Sequence, residues 1–179
     1  MEIKPQAMAI EQDRSKLKQG KYGPVYPKTP ACYGFSVIAK VIPGREHILY
    51  NHAKAVEAAI AAAPDTLAIL QAHYLRWLIF KINGEDYFMY QAIFDTDFDK
   101  YCEDASMLFG QTGIQSAFEA LEGWPEDYAS NPQAIVKFFH EHQWPSTLEY
   151  SEHPYATCAE IRKGLELRSA FSTMLDKMQ

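Results

Sequence analysis

The residues best suited to chemistry lie near the middle of the chain, where one arginine stands among aromatic and aliphatic residues. Arg76 lies in the run Tyr-Leu-Arg-Trp-Leu-Ile-Phe, where a buried charge without a partner would be costly. Its guanidinium has five N–H donors, more than the amide of Gln91 can satisfy alone. A ligand carboxylate could accept two of these bonds side by side. A structural ion pair with Asp95 or Glu149 is the alternative.

A histidine and a carboxylate near Arg76 suggest proton transfer. His73 and Asp95 are expected at the same end of two neighbouring strands, and a carboxylate beside an imidazole fixes the tautomer that a general base requires. Tyr87 is predicted as a further proton-transfer group. We therefore predict His73, Arg76 and Tyr87 as candidate catalytic residues. A histidine that only packs and accepts a hydrogen bond is the alternative for His73.

These side chains are positioned by a predicted β-hairpin. Asn83-Gly84 stands between two apolar runs and predicts a two-residue turn between strands at 72–82 and 86–94. That turn pairs Arg76 with Gln91 and His73 with Phe94. One predicted face consists of Tyr74, Arg76, Leu78, Phe80, Tyr87, Met89, Gln91 and Ile93. The other consists of His73, Leu75, Trp77, Ile79, Phe88, Tyr90, Ala92 and Phe94.

Both faces of this hairpin are largely apolar, so both are expected to be covered. Helices can cover one face, and the sheet of a second subunit is the expected cover for the other, which predicts a homodimer. The predicted ligand-binding residues are Tyr74, Arg76, Leu78, Met89, Gln91 and Asp95.

The other elements follow from periodicity and capping signals. Strands are predicted at 33–42 and 146–153, and helices at 45–63, from Thr96 with Asp99 as a capping box, from Asn131-Pro132 to His142, and from Thr157 with Glu160 as a second capping box. Without a helical insertion and the last helix, the order is the ferredoxin-like βαββαβ, an α+β fold. Four prolines in residues 1–30 predict an extended N-terminal arm, and residues 31–179 a single domain.

Composition and motifs exclude several classes of protein. A net charge of −6 argues against binding to nucleic acid or an anionic membrane. Three widely spaced cysteines without a Cys-x-x-Cys pair suit a reducing cytosol, and no apolar run is long enough for a membrane span. We predict a cytoplasmic protein. No His-Glu-x-x-His or other local metal spacing is present, so no metal site and no cofactor are predicted.

The predicted element order and doubly apolar hairpin resemble the dimeric α/β-barrel superfamily, over roughly residues 33–153. In that superfamily two ferredoxin-like sheets close into a barrel, and its members include small monooxygenases, chlorite dismutases and dye-decolorising peroxidases. A narrower resemblance is to an uncharacterised ferredoxin-like domain with a His-x-x-Arg-aromatic strand. It is carried by the string His73-x-x-Arg76-Trp77, Phe94-Asp95, Phe98-Asp99, Tyr101 and Asp104.

Three functions remain open from the sequence. The first is binding, with or without conversion, of a small apolar or aromatic molecule whose polar end is anchored by Arg76 and Gln91. The second is a non-catalytic scaffold that self-assembles through its sheet and arm. The third, implied by the resemblance, is a haem-binding barrel protein with His52 or His73 as the iron ligand.

Overall fold

The computed structural model describes residues 18–19, 24–25, 33–96, 98–148, 150, 152–153 and 156–178. Its elements are β1 (Lys18–Gln19), β2 (Pro24–Val25), β3 (Tyr33–Lys40), α1 (Glu46–Ala62), β4 (Ala72–Ile82), β5 (Glu85–Phe94), α2 (Phe98–Thr112), α3 (Pro132–His142), β6 (Gln143–Trp144) and α4 (Cys158–Asp176). Two 3-10 helices, Ala68–Leu70 and Ile114–Ala120, stand before β4 and after α2. The protein therefore has the predicted mixed α+β architecture.

The main sheet has four antiparallel strands in the order β4-β5-β3-β6. The first of these strands along the chain, β3, is thus central, between β5 and β6. The short strands β1 and β2 pair with each other in a separate ladder, within the region predicted as an extended arm. None of the described helices is both long and apolar enough to cross a lipid bilayer.

The β4–β5 hairpin follows the predicted register over most of its length. Asn83 and Gly84 have φ values of 52° and 85°, as a two-residue hairpin turn requires. Arg76 pairs with Gln91, as predicted, but Ala72 rather than His73 pairs with Phe94. The predicted partner of His73 was wrong because a β-bulge between Ala72 and Tyr74 adds one residue to β4 and shifts its pleat.

Helices α1, α2 and α3 cover one face of the sheet and leave the other more exposed. On the covered face, β3 and β5 supply buried side chains in strict alternation: Phe35, Val37, Ala39, Phe88, Tyr90, Ala92 and Phe94. We call the opposite surface the open face; it carries Ser36, Ile38, Tyr74, Arg76, Leu78, Phe80, Tyr87, Met89, Gln91 and Ile93. Tyr74 and Ile93 retain 51% and 41% of their exposure, so the described chain leaves this apolar face partly uncovered.

Helix α2 packs with the predicted side inward. All six residues predicted for its inner face are buried: Phe98, Tyr101, Cys102, Ala105, Leu108 and Phe109. Its start differs from the prediction, because α2 begins at Phe98 and the cap position 97 lies outside the described residues. The hydroxyl of Thr96 is buried and makes no hydrogen bond to a described residue, so Thr96 does not cap this helix.

The C-terminal region departs most from expectation. The described residues 146–148, 150 and 152–153 are not in a strand, so the strand predicted at 146–153 is not found among them. The last described strand is β6, two residues that directly follow α3, and Pro145 after it cannot donate to the sheet. Helix α4 begins with the predicted capping box, in which the Thr157 hydroxyl accepts from the Glu160 N–H at 3.2 Å. No described side chain of α4 is buried.

Candidate functional site

A cavity of about 510 Å³ lies on the open face. The sheet side of the cavity carries Ser36, Tyr74, Arg76, Gln91 and Ile93. The other side comes from the segment between β6 and α4 and from the first turns of α4, with Leu148, Tyr150, Glu152, His153 and Ile161. Its volume is within the range of small-molecule sites, and its walls combine apolar surface with a few polar groups, as such sites do.

A row of hydrogen bonds crosses three strands under this cavity. Arg76 Nη2 donates to Gln91 Oε1 at 2.8 Å, and Gln91 Nε2 donates to Ser36 Oγ at 3.1 Å. The Arg76 guanidinium also lies 5.5 Å from the centre of the Tyr74 ring. The predicted contact between Arg76 and Gln91 is therefore formed. Ser36 was missed, because the hairpin register does not reveal which residue of β3 lies beside Gln91.

Arg76 keeps donors available for a ligand. It is exposed, and no described carboxylate forms an ion pair with it. The structural alternative with Asp95 is not formed, because Asp95 bonds His73; Glu149 lies outside the described residues. Since Gln91 accepts one bond from a guanidinium that has five donors, the arginine can still donate to a carboxylate in the cavity.

Four predicted site residues lie outside the lining of this cavity: Leu78, Tyr87, Met89 and Asp95. Leu78 and Met89 face each other on the open face, two residues nearer the hairpin turn than Arg76 and Gln91. Tyr87 stacks on Phe80 with ring centres 6.1 Å apart, and its position on β5 is about 13 Å from Gln91 along the strand. The structure therefore does not bring Tyr87 together with Arg76 and His73.

His73 and Asp95 form the predicted hydrogen-bonded pair, and a third residue joins them. His73 Nε2 bonds one oxygen of the Asp95 carboxylate, whose other oxygen accepts the backbone N–H of Cys158 at 2.6 Å. The Cys158 thiol donates to the carbonyl of Gln71 at 3.3 Å. His73 lines the main cavity and also, with Cys158, a second cavity of about 290 Å³.

These three side chains form a potential metal-ligand set. One ligand atom each from His73, Asp95 and Cys158 lies within 4.8 Å of the others. Sequence spacing gave no sign of this cluster, because Asp95 is 22 residues from His73 and 63 residues from Cys158. Only the bulge in β4 and the docking of α4 against the end of the hairpin bring them together.

The histidines considered as haem ligands are both engaged. His52 bonds the carbonyl of Ile48 and the hydroxyl of Ser116, each at 3.0 Å, and it does not line the main cavity. Nε2 of His73 is bonded to Asp95. The Nε2 atom of each histidine is therefore hydrogen-bonded to another side chain.

Comparison with known proteins adds no further identification: no protein-family model, no curated protein and no solved structure matches the chain.

Proposed function

We propose that the protein binds a small apolar or aromatic molecule with a carboxylate, held at its polar end by Arg76 and Gln91. The observation that carries this proposal is a guanidinium at the wall of a cavity of about 510 Å³, without a carboxylate partner among the described residues. Gln91, itself held by Ser36, orients the guanidinium, and Tyr74 supports it from the side. A ligand carboxylate would accept hydrogen bonds from the N–H groups of Arg76 that Gln91 leaves unused, and the apolar walls would pack against the rest of the molecule.

Conversion of the bound molecule is a further part of the proposal. His73 lines the same cavity and is held by a carboxylate with 5% exposure, Asp95. A carboxylate in this position orients the imidazole and supports it when it takes up a proton. His73 is therefore the group that would move a proton to or from a ligand anchored at Arg76.

We also propose that the sheet is ferredoxin-like and forms a dimeric α/β barrel. The strand order β4-β5-β3-β6 with antiparallel pairing supports the first part, because it is the order of a βαββαβ sheet. The partly exposed open face, with Tyr74 and Ile93, supports the second. A second copy over this face would enclose the cavity and strengthen the bond between Arg76 and a ligand by excluding water.

The scaffold function is the second candidate, and α4 favours it. This helix of 19 residues exposes large apolar side chains along its length: Ile161, Leu165, Leu167, Phe171, Met174 and Leu175. Apolar side chains of this kind pack against another helix in coiled coils and bundles. In this function a second copy of the chain pairs through α4, and Arg76 has only a structural role.

Binding of simple aromatic carboxylates tests the proposed function. Isothermal titration with a benzoate and phenylalkanoate series should show binding to the wild type and at least tenfold weaker binding to Arg76→Gln, since a charge-assisted hydrogen bond contributes roughly 1.5–3 kcal/mol. Gln91→Glu should weaken binding in the same way, because its carboxylate would occupy the guanidinium. Arg168→Gln is the matched control, since Arg168 is an exposed arginine that does not line this cavity.

The control and both site variants should remain folded by circular dichroism. Equal affinity of wild type, Arg76→Gln and Gln91→Glu for every bound carboxylate would contradict the assignment of Arg76. Native mass spectrometry of the protein as purified provides a second measurement, because a retained small molecule should be present on the wild type and depleted on Arg76→Gln.

A further inference from the structure

The cluster of His73, Asp95 and Cys158 is assembled from three separate elements. His73 lies at the bulge of β4, Asp95 directly follows β5, and Cys158 is the first residue of α4. Their ligand atoms lie within 4.8 Å of one another, whereas the ligand atoms around a tetrahedral zinc ion are about 3.3–3.6 Å apart. Small side-chain rotations that open the His73–Asp95 contact and bring the thiol closer would give that spacing.

Two backbone irregularities hold this cluster in place. Gln71 has a φ of 46°, a left-handed conformation unusual for a residue with a side chain. Its carbonyl accepts both the Asp95 N–H at 3.2 Å and the Cys158 thiol at 3.3 Å. The bulge two residues later redirects His73 towards Asp95. Left-handed residues and bulges concentrate at functional sites, where they aim side chains that regular strands could not.

The arrangement favours a single metal ion bound by all three side chains over a catalytic triad in which the histidine lies between thiol and carboxylate. In such a triad the imidazole separates thiol and carboxylate by the width of the ring plus two hydrogen bonds. Here sulfur, nitrogen and oxygen form a compact triangle, and the thiol bonds a carbonyl. A single ion can touch all three atoms of such a triangle.

The ligand types select the class of metal. Mg²⁺ and Ca²⁺ take oxygen ligands, whereas thiolate with imidazole favours Zn²⁺ and related transition-metal ions. Three protein ligands leave the fourth tetrahedral position for water or a ligand oxygen, as in catalytic zinc sites. His73 and Cys158 both line the second cavity, of about 290 Å³, which has room for such a group.

We propose that His73, Asp95 and Cys158 bind a divalent transition-metal ion, Zn²⁺ being the best match, with its fourth position directed to the second cavity. This site differs from the carboxylate pocket at Arg76 and does not depend on it, but with the ion bound His73 is a metal ligand and no longer the proton-transfer group of the proposed function. His73 borders both cavities, so a metal ion bound here would lie beside the proposed ligand. The proposal thus adds a Lewis acid, or a source of metal-bound water, to the end of the sheet.

Cobalt is the probe that reports the ligands directly. Metal-free full-length protein titrated with Co²⁺ should bind one ion per chain and show a thiolate-to-cobalt charge-transfer band together with the strong visible bands of four-coordinate Co²⁺. Zn²⁺ added afterwards should remove both signals. Cys158→Ser should abolish the charge-transfer band, and His73→Ala should weaken Co²⁺ binding at least tenfold.

The other two cysteines of the chain provide controls. Cys102 is fully buried on α2, and the proposal assigns no metal-binding role to Cys32, so Cys102→Ala and Cys32→Ala should both keep the charge-transfer band. Asp95→Asn covers the case in which loss of the carboxylate unfolds α4, since an amide oxygen can still accept from the Cys158 N–H but is a poor zinc ligand. Asp95→Asn should bind Co²⁺ at least tenfold more weakly than the wild type and should keep the wild-type helical content by circular dichroism.

The outcomes that would overturn the metal site are specific. The first is that wild-type protein with Co²⁺ shows no charge-transfer band. The second is that the band persists in Cys158→Ser, and the third is that Cys102→Ala or Cys32→Ala abolishes it. Arg76→Gln should leave the cobalt spectrum unchanged. The carboxylate titration and the cobalt titration therefore test the two proposals separately, and either proposal can be contradicted without the other.

Discussion

Two tyrosine hydroxyls are hydrogen-bonded inside the core, and neither residue lines a cavity described above. The hydroxyls of Tyr90 and Tyr101 lie 2.6 Å apart, and both residues are almost completely buried. Burial raises the pKa of Tyr90 and of Tyr101 above the ordinary value, because ionised phenolate would lose its hydration. The core therefore holds both residues in the neutral form.

This pair predicts a loss of stability in alkali. Below about pH 10 both tyrosines are neutral in the folded and the unfolded chain, so they add no pH dependence. Above that pH the unfolded chain ionises first and binds fewer protons than the folded one, so the free energy of unfolding falls as pH rises. Urea unfolding between pH 9 and pH 11 should show a fall that is smaller in Tyr90→Phe/Tyr101→Phe. An identical slope in both proteins would contradict this account.

At the scale of the element, the Asn83-Gly84 turn and helix α4 contain two glycines that should respond oppositely to alanine. Gly84 has a φ of 85°, which disfavours a residue with a side chain, whereas Gly164 lies inside α4 without a positive φ. A Cβ at either position would meet no atom within 4 Å, so the difference is purely conformational. Gly84→Ala should cost about 1–2 kcal/mol, and Gly164→Ala should favour the helix by roughly 0.5–1 kcal/mol.

Urea unfolding followed by far-ultraviolet circular dichroism measures the stability change in both variants. The helical signal of the folded protein also reports any gain of helix in Gly164→Ala. Gly84→Asn offers a check, because asparagine tolerates a positive φ better than alanine and should recover part of the lost stability. If Gly84→Ala and Gly164→Ala changed stability in the same direction, the assigned turn geometry would be wrong.

At the scale of the whole molecule, two apolar surfaces compete for the role of dimer interface. One is the open face, on which Leu78 is partly buried, and the other is the exposed apolar surface of α4, on which Leu165 keeps 57% of its exposure. A charge in a protein interface disrupts it, because a carboxylate left without a partner loses hydration. The same substitution at each leucine therefore distinguishes the barrel from helix pairing.

We expect the wild type to be a dimer by light scattering at micromolar concentration, and Leu78→Glu to be a monomer. Leu165→Glu should remain a dimer if the open face forms the interface. The reverse pattern would favour the scaffold function through α4, and a monomeric wild type would contradict both. The ligand affinity of the Leu78→Glu monomer would then show whether the partner encloses the cavity.

Several local features of the fold were predictable from the chain alone. The Asn83-Gly84 turn fixed the register that joins Arg76 to Gln91, because two residues with positive φ close only one pairing. Helical periodicity determined the buried side of α2, and the capping box of Thr157 and Glu160 determined where α4 begins. These features depend on residues within a few positions of one another, which spacing can reveal.

The other features of the site depend on tertiary contacts. Contacts between distant segments determine three of them. They are the bulge that changes the pairing of His73, the position of Ser36 beside Gln91, and the hydrogen bond from Cys158 to Asp95. Such contacts are chosen by how strands and helices pack together, and no short pattern records that choice. The carboxylate pocket was therefore partly predictable from one hairpin, whereas the metal-ligand cluster arises only where three elements meet.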